Sequence, residues 1–427
     1  RMIYQLFGYT GTFVLFRTTM VIEMMATELA PGVHWVGAID WNLREYHGYT
    51  LPGTTYNAYL VRGEKTALID GAYAGFEGEV LGRVGSVCDP GEIDFLVVNH
   101  IEMDHSGTLP AFVRRMPDIP IYCTERARAG LARHYDTTGW NIRVVKTGDT
   151  LDLGGKTLTF LEAPMLHWPD SMFTYLAEDA ILFPNDAFGQ HVASAARFDD
   201  QLGRDAAMAH AKKFFANLIV PLAPKVLKKL DEVGSLGIDI KMIAPSHGVI
   251  WRSHAGDILG AYADWSRGVA KDKVTIVYDT MHGSTAMMAK AIAEGVMAGG
   301  ADVRVCLLRD GRYEGTHRSD VVTEVLDSKA VLVGSPTLQD EVLPTVAGFL
   351  SYLRGLAPGR LEAKKIGCAF GSHGGLGGAF ARAEEALKAA GIEVIDGGFQ
   401  VNYRPDDDEL ARAYELGRKV AQEIRAR

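Results

Sequence analysis

Cysteine is scarce in this chain of 427 residues: Cys88, Cys123, Cys306 and Cys368 lie far apart and form no Cys-x-x-Cys pair. That spacing argues against a disulfide framework, a zinc ribbon or an appended rubredoxin-type iron site, and predicts reduced core thiols in a cytoplasmic protein. No uncharged apolar run is long enough to span a membrane. A Lys/Arg block is also missing, and the formal net charge is -9, which speaks against nucleic acid as a main partner. Hydrophobic residues, by contrast, make up 47% of the chain, enough for the large core of a soluble protein of two or three domains.

The first residues are unusual. Between Arg1 and Met24, Phe, Leu, Val and Ile are interrupted by Gly8, Gly11, Arg17 and several Thr, whereas a signal peptide has a basic start and an unbroken apolar centre. Residues 1–24 read as a leader outside the fold, with Met25 a natural start and coherent strand alternation beginning at His34–Ile39. From there to Ile250 many short β-like runs are separated by Gly, Pro and Asp turns, which two sheets flanked by helices would house. A helical stretch over Ala255–Val269 follows, and Lys271-Asp272-Lys273 precedes the apolar strand Val274–Tyr278. The expected domains are 25–265 and 272–427. The second alternates strand and helix regularly, as five parallel strands with crossover helices do.

The first loop of that second domain contains Thr280, Met281, His282, Gly283, Ser284 and Thr285, between a strand and a helix amino terminus. Such a loop suits a phosphate, although for this loop alone a plain capped turn is equally compatible. The later loops contain Pro336, Thr337, Leu338 and Gln339, then Ser372, His373, Gly374, Gly375 and Leu376. Three such loops at the carboxyl ends of neighbouring strands suit a mononucleotide with a planar ring, and the domain resembles a flavodoxin. A dinucleotide fingerprint at Gly374–Gly378 fails in detail, because its third glycine position is Phe380 and the loop follows the fourth strand.

In the first half the apolar run Ile93–Val98 leads into His100-Ile101-Glu102-Met103-Asp104-His105, four metal-capable side chains in six residues. An extended backbone would aim His100 and Glu102 to one side, and the chain must then turn to aim Asp104 and His105. His167, Asp186 and His247 each follow another strand-like run. Singly they read as a core histidine, a turn former and a capping residue. Together they complete a set: His100, Glu102 and His167 for one metal, Asp104, His105 and His247 for a second, with Asp186 bridging. Imidazoles with carboxylates and no thiolate suit iron, manganese or zinc, and a carboxylate at Glu102 favours iron and redox chemistry over hydrolysis.

These ligands in this order, the flavodoxin-like half, and the stretches Trp41–Gly48 and Asn185–His191 resemble the flavodiiron proteins, also called A-type flavoproteins or rubredoxin:oxygen oxidoreductases. The resemblance covers about Ala26 to the carboxyl terminus. It implies an α/β protein: a metallo-β-lactamase-like αββα sandwich holding two non-haem irons, followed by a flavodoxin-like doubly wound parallel sheet holding FMN. It implies that the seven residues above are iron ligands, though His105 is not one in every member, and that His47 and His191 lie near the substrate. The implied activity is reduction of O2 to water, NO to N2O, or both, in a head-to-tail homodimer or dimer of dimers. The chain shows no fused rubredoxin or flavin reductase, so rubredoxin or a similar small electron-transfer protein is the expected donor. Two departures stand out. Gly374-Gly375-Leu376 lacks the aromatic residue common beside the flavin, and Phe214 and Phe215 stand where relatives often carry tyrosines. The competing reading is a zinc-dependent hydrolase fused to a flavodoxin-like module.

Overall fold

The computed structural model describes residues 24–308 and 315–427. The leader expected over residues 1–24 therefore lies, Met24 apart, outside the described residues.

In the first half, alternation along short strands builds two sheets. Seven strands pair in the order Thr27–Ala30, Val33–Trp35, Tyr59–Arg62, Thr66–Ile69, Phe95–Val97, Pro120–Cys123 and Asn141–Val144. Five more pair as Thr150–Asp152, Thr157–Glu162, Met172–Leu176, Ile181–Phe183 and Met242–Ile243. Successive side chains on a strand point to opposite faces. Tyr59, Val61, Ala67, Ile69 and Val97 accordingly pack between the sheets against Leu158, Phe160 and Phe183. Leu60, Leu68 and Leu96 face outward onto the helix residues Val80, Val84 and Phe112. The second sheet is covered by Phe214, Val226 and Tyr262. This is the αββα sandwich. Pairing begins earlier than expected, at Thr27, which joins Trp35 in an antiparallel pair.

The second half is a parallel sheet ordered Asp302–Leu307, Lys271–Tyr278, Ser328–Pro336 and Ile366–His373, with Glu393–Val394 and Phe399–Asn402 both pairing the last of these. Both faces are buried, which explains the near-continuous apolar runs: Val277, Val331 and Val333 face one core, Val274, Ile276 and Leu332 the other. The expected fifth strand, Glu393–Asp396, is observed as Glu393–Val394, and Phe399–Asn402 adds a further parallel strand that the sequence pattern did not show, with Gly397 at a φ of 114° in the turn between them. Lys271-Asp272-Lys273, expected to precede the first strand, forms its first three residues. Lys273 is buried and paired with Glu324 and Asp327. The helix Arg318–Leu326 was not expected from the sequence pattern.

The halves meet along a polar seam. Thr50 N donates to Ser319 Oγ at 3.3 Å, Arg318 to the Gly48 carbonyl at 3.2 Å, and Tyr352 Oη to Asn217 Oδ1 at 2.9 Å. Among the described residues no helix is long and apolar enough to cross a membrane.

Candidate metal centre and cofactor cleft

The strand Phe95–Val97 delivers the metal loop. Asn99 is locked by two hydrogen bonds to the buried Asp70, from its backbone N at 2.8 Å and its side chain at 3.1 Å. Asn185, beside Asp186, donates to the same carboxylate at 3.2 Å. One buried acid therefore ties together the loops carrying His100 and Asp186. Glu102 stands at the start of the short helix Met103–Ser106, which is the turn needed to bring Asp104 and His105 round.

All seven expected ligands converge. His167 Nε2 lies 3.3 Å from Glu102 Oε2 and 3.4 Å from Asp186 Oδ2, and His100 Nε2 lies 3.5 Å from Glu102 Oε2. On the other side His247 Nε2 is 3.1 Å from Asp104 Oδ2 and 3.2 Å from Asp186 Oδ1, and His105 Nε2 is 3.2 Å from Asp186 Oδ1. The donors form two groups, His100, Glu102, His167 and Asp186, and Asp104, His105 and His247, each able to hold a metal ion. Asp186 turns one oxygen to each group.

Six of the atoms facing inward have no hydrogen-bond partner. Among the described residues His100 Nε2, Glu102 Oε2, Asp104 Oδ1, His105 Nε2, His167 Nε2 and Asp186 Oδ2 are all buried and unpaired. Leaving so many buried polar atoms unpaired costs several kcal/mol, so the arrangement makes sense around cations. Charge agrees. Burial raises the carboxyls of Glu102, Asp104 and Asp186, yet the surrounding imidazoles overcome it and hold all three below the ordinary carboxylate range. Burial lowers His247, but Asp104 and Asp186 push it up to about 10. Protons on the imidazoles balance the carboxylates where metal ions would. The donor set, imidazole and carboxylate without thiolate, fits a pair of irons.

A surrounding layer aims the ligands. The Asp170 carboxylate sits 2.9 Å from His100 Nδ1 and accepts from Ile101 N at 2.9 Å, which turns His100 Nε2 inward. His247 Nδ1 donates to the Thr55 carbonyl at 2.6 Å, and Ser246 Oγ to Asp186 Oδ1 at 2.9 Å. Sequence reasoning missed Asp170, although it lies in the same Leu166–Asp170 stretch as His167. Missed too was Thr55, whose strand carries no metal-type residue.

His47 and His191 both reach the centre's edge. His47 Nε2 is 2.7 Å from Glu102 Oε1, joined there by Tyr46 Oη at 3.3 Å. His191 Nδ1 is 2.7 Å from Thr54 Oγ1, its ring 4.3 Å from that of His247, and its buried Nε2 is unpaired. Burial, reinforced by His247 and His47, keeps His191 neutral by pushing its pKa well down. Phe214 packs on His191, with ring centroids 5.3 Å apart. Phenols reach the same ring from elsewhere: Tyr46 and Tyr49 each lie 5.8 Å from it.

In the second half a cleft of about 540 Å³ opens at the carboxyl ends of the strands, within the usual size range for small-molecule sites. Thr280, Met281, His282, Gly283, Ser284, Pro336, Thr337, Ser372, His373 and Gly374 line it. Thr285, Leu338, Gln339, Gly375 and Leu376, also expected there, are not among its lining residues. Thr285 is buried in the helix Ser284–Ala298, and Leu376 is largely exposed. Met287, Tyr403 and Arg404 line the cleft unforeseen. Tyr403 and Arg404 follow the strand Phe399–Asn402, which the sequence pattern did not show. A Cβ on Gly374 would meet the Tyr403 ring at 3.6 Å, so an aromatic ring does border this loop, supplied by a neighbour. Thr337 Oγ1 is buried without a partner, and the helix start at Ser284 offers its amides to a phosphate. These features fit FMN.

Comparison with known proteins agrees with both halves. Residues 54–248 match the family model "ODP family beta lactamase" and residues 276–417 match "Flavodoxin". A nitric oxide reductase of Moorella thermoacetica is 48% identical over 93% of this chain and 98% of its own. A coenzyme F420H2 oxidase of Methanothermobacter marburgensis is 51% identical over 95% of this chain and 100% of its own. The solved rubredoxin:oxygen oxidoreductase of Desulfovibrio gigas superposes with a TM-score of 0.89 at 38% identity, covering 94% of this chain and 99% of that one. The chain belongs to the flavodiiron protein family.

Proposed function

We propose that this oxidoreductase reduces O2 to water, NO to N2O, or both. His100, Glu102 and His167 would hold one iron and Asp104, His105 and His247 the other, with Asp186 offering an oxygen to each group. Bound FMN would supply electrons singly, and bound iron would supply the redox chemistry that reduces a diatomic gas. The remaining work belongs to the chain. His47 and Tyr46 hold Glu102 by one oxygen and leave the other for metal. His191, anchored at Nδ1 by Thr54, keeps a neutral Nε2 available for a hydrogen bond at the pocket wall. The reading is carried by Asp186, whose two oxygens face two separate groups of buried, unpaired donors.

The FMN cleft shares no lining residue with the metal centre. That supports a head-to-tail homodimer, or a dimer of dimers, in which one subunit's flavin serves its partner's irons. Free thiols at all four cysteines suit a reducing cytoplasm. Rubredoxin or a similar small protein is the proposed donor, after the name of the Desulfovibrio protein. The 51% identity to the F420H2 oxidase favours reduced coenzyme F420 as a second donor, and stopped-flow flavin reduction with each separates them.

Replacing Asp186 with Ala tests the proposal. Iron content and gas consumption are expected to collapse while flavin absorbance is retained. Full iron content in the variant, or loss of FMN with the iron, contradicts it.

A further inference from the structure

Behind the metal centre lies a cavity of about 20 Å³, walled by the second sheet and the helices Ala223–Ser235 and Ala255–Arg267. Its inner wall includes Leu166, Ala187 and Phe188, all buried. Leu166 immediately precedes His167 and Ala187 immediately follows Asp186, so this wall is one residue from two ligands of the same metal group. Its outer wall includes Leu230, Ile240 and Leu259, which are only partly buried. The lining thus runs from partly buried side chains to the sequence neighbours of two metal donors, with no donor itself in the wall.

The cavity presents no polar atom. Two lining residues carry one, and both are engaged elsewhere. Tyr262 Oη accepts from Phe188 N at 2.8 Å, and Lys229 Nζ donates to the Glu162 carbonyl at 2.5 Å and pairs with Glu232 at 2.8 Å. A water needs about 10–15 Å³ and two to four polar partners. This space meets the first requirement and not the second, so it stays dry, as apolar cavities do; larger ones take up apolar ligands or xenon.

We propose that this cavity is a binding and entry site for the diatomic gas, drawing O2 or NO from the surface at Leu230 and Leu259 toward the irons along a path that water does not fill. The choice of ligand rests on the proposed gas reduction; the dry cavity does not.

Xenon-pressurised crystals of the full chain test it, with anomalous density expected between Leu166 and Leu230. Leu230→Trp should expel the xenon and lower kcat/KM for the gas roughly fivefold, while iron content and the rate of flavin reduction by the donor stay unchanged. Leu259→Phe is the second variant should the first fail to fold. Absence of xenon from the parent protein, or an unchanged kcat/KM in a variant that excludes xenon, overturns the proposal. Xenon binding in an iron-loaded protein that consumes neither gas contradicts the gas-reduction reading and, with it, the ligand, but leaves the dry cavity standing.

Discussion

Asp170 shows how a residue outside the donor set can orient one of its members. It accepts from both the His100 ring and the Ile101 amide, so the ring's orientation depends on it. Asp170→Asn is expected to weaken iron binding roughly 10–100-fold in a chelator competition, and unchanged affinity would remove its aiming role. Lys365 makes a different kind of prediction. It is buried in the second half, donates to the Leu326 and Ser328 carbonyls at 2.9 and 2.8 Å, and burial pushes its pKa down to about 7. Below that value it is protonated in both folded and unfolded chains, and the fold bears the cost of a buried charge. Above it, up to the ordinary lysine value, the unfolded chain binds more protons. Stability should therefore rise with pH across that window, by on the order of a few kcal/mol. Urea unfolding at about pH 7 and about pH 10 should show this slope in the parent and its loss in Lys365→Met; an equal slope in both contradicts it. Single residues differ in how legible they are. His100 to His105 stand out in the sequence because four donors crowd one loop, whereas Asp170 is one acid in a turn and is defined only by the histidine it meets in space.

Short elements do much of the positioning, and they were the hardest to read. The strands Glu45–Tyr46 and Tyr49–Thr50 flank a two-residue turn at His47 and Gly48, with φ of 49° and 78°. Both values are positive, as a tight hairpin of this hand requires. The turn sets Tyr46 and His47 over Glu102 while Gly48 and Thr50 touch the flavodoxin half. Two-residue strands carry no alternation to detect, and Tyr403 and Arg404 went unseen because the short strand before them, Phe399–Asn402, did. The longer elements were legible: the helical stretch expected over Ala255–Val269 is the helix Ala255–Arg267. Asn217, in the π-helical turn Phe215–Ile219, bridges the halves through the Ser319 carbonyl and Tyr352 Oη. Asn217→Ala removes both bonds; the Ser319 carbonyl keeps Thr323 Oγ1 at 2.8 Å, but Tyr352 Oη loses its acceptor, which should destabilise the chain by about 1–3 kcal/mol. Faster hydrogen exchange in the helix Arg318–Leu326 is the expected sign, and parent-like exchange and stability would show that the seam holds without it.

Across the whole molecule, two architectures that place loops at the carboxyl ends of strands are joined in one chain, and each gathers its chemistry at such a rim. That is why the metal residues and most of the FMN cleft could be read from the polar residues just beyond each apolar run. How the halves sit on one another could not, because the seam is made of scattered side chains such as Thr50, Asn217, Ser319 and Tyr352. The central claim is that seven side chains hold an iron pair that passes flavin electrons to a gas. The most direct test is anaerobic consumption of O2 and of NO, run in parallel with reduced rubredoxin on protein of measured metal content. Two irons per chain and turnover of at least one gas are expected; two zincs per chain, or an iron-loaded protein that oxidises the donor with neither gas, would contradict it.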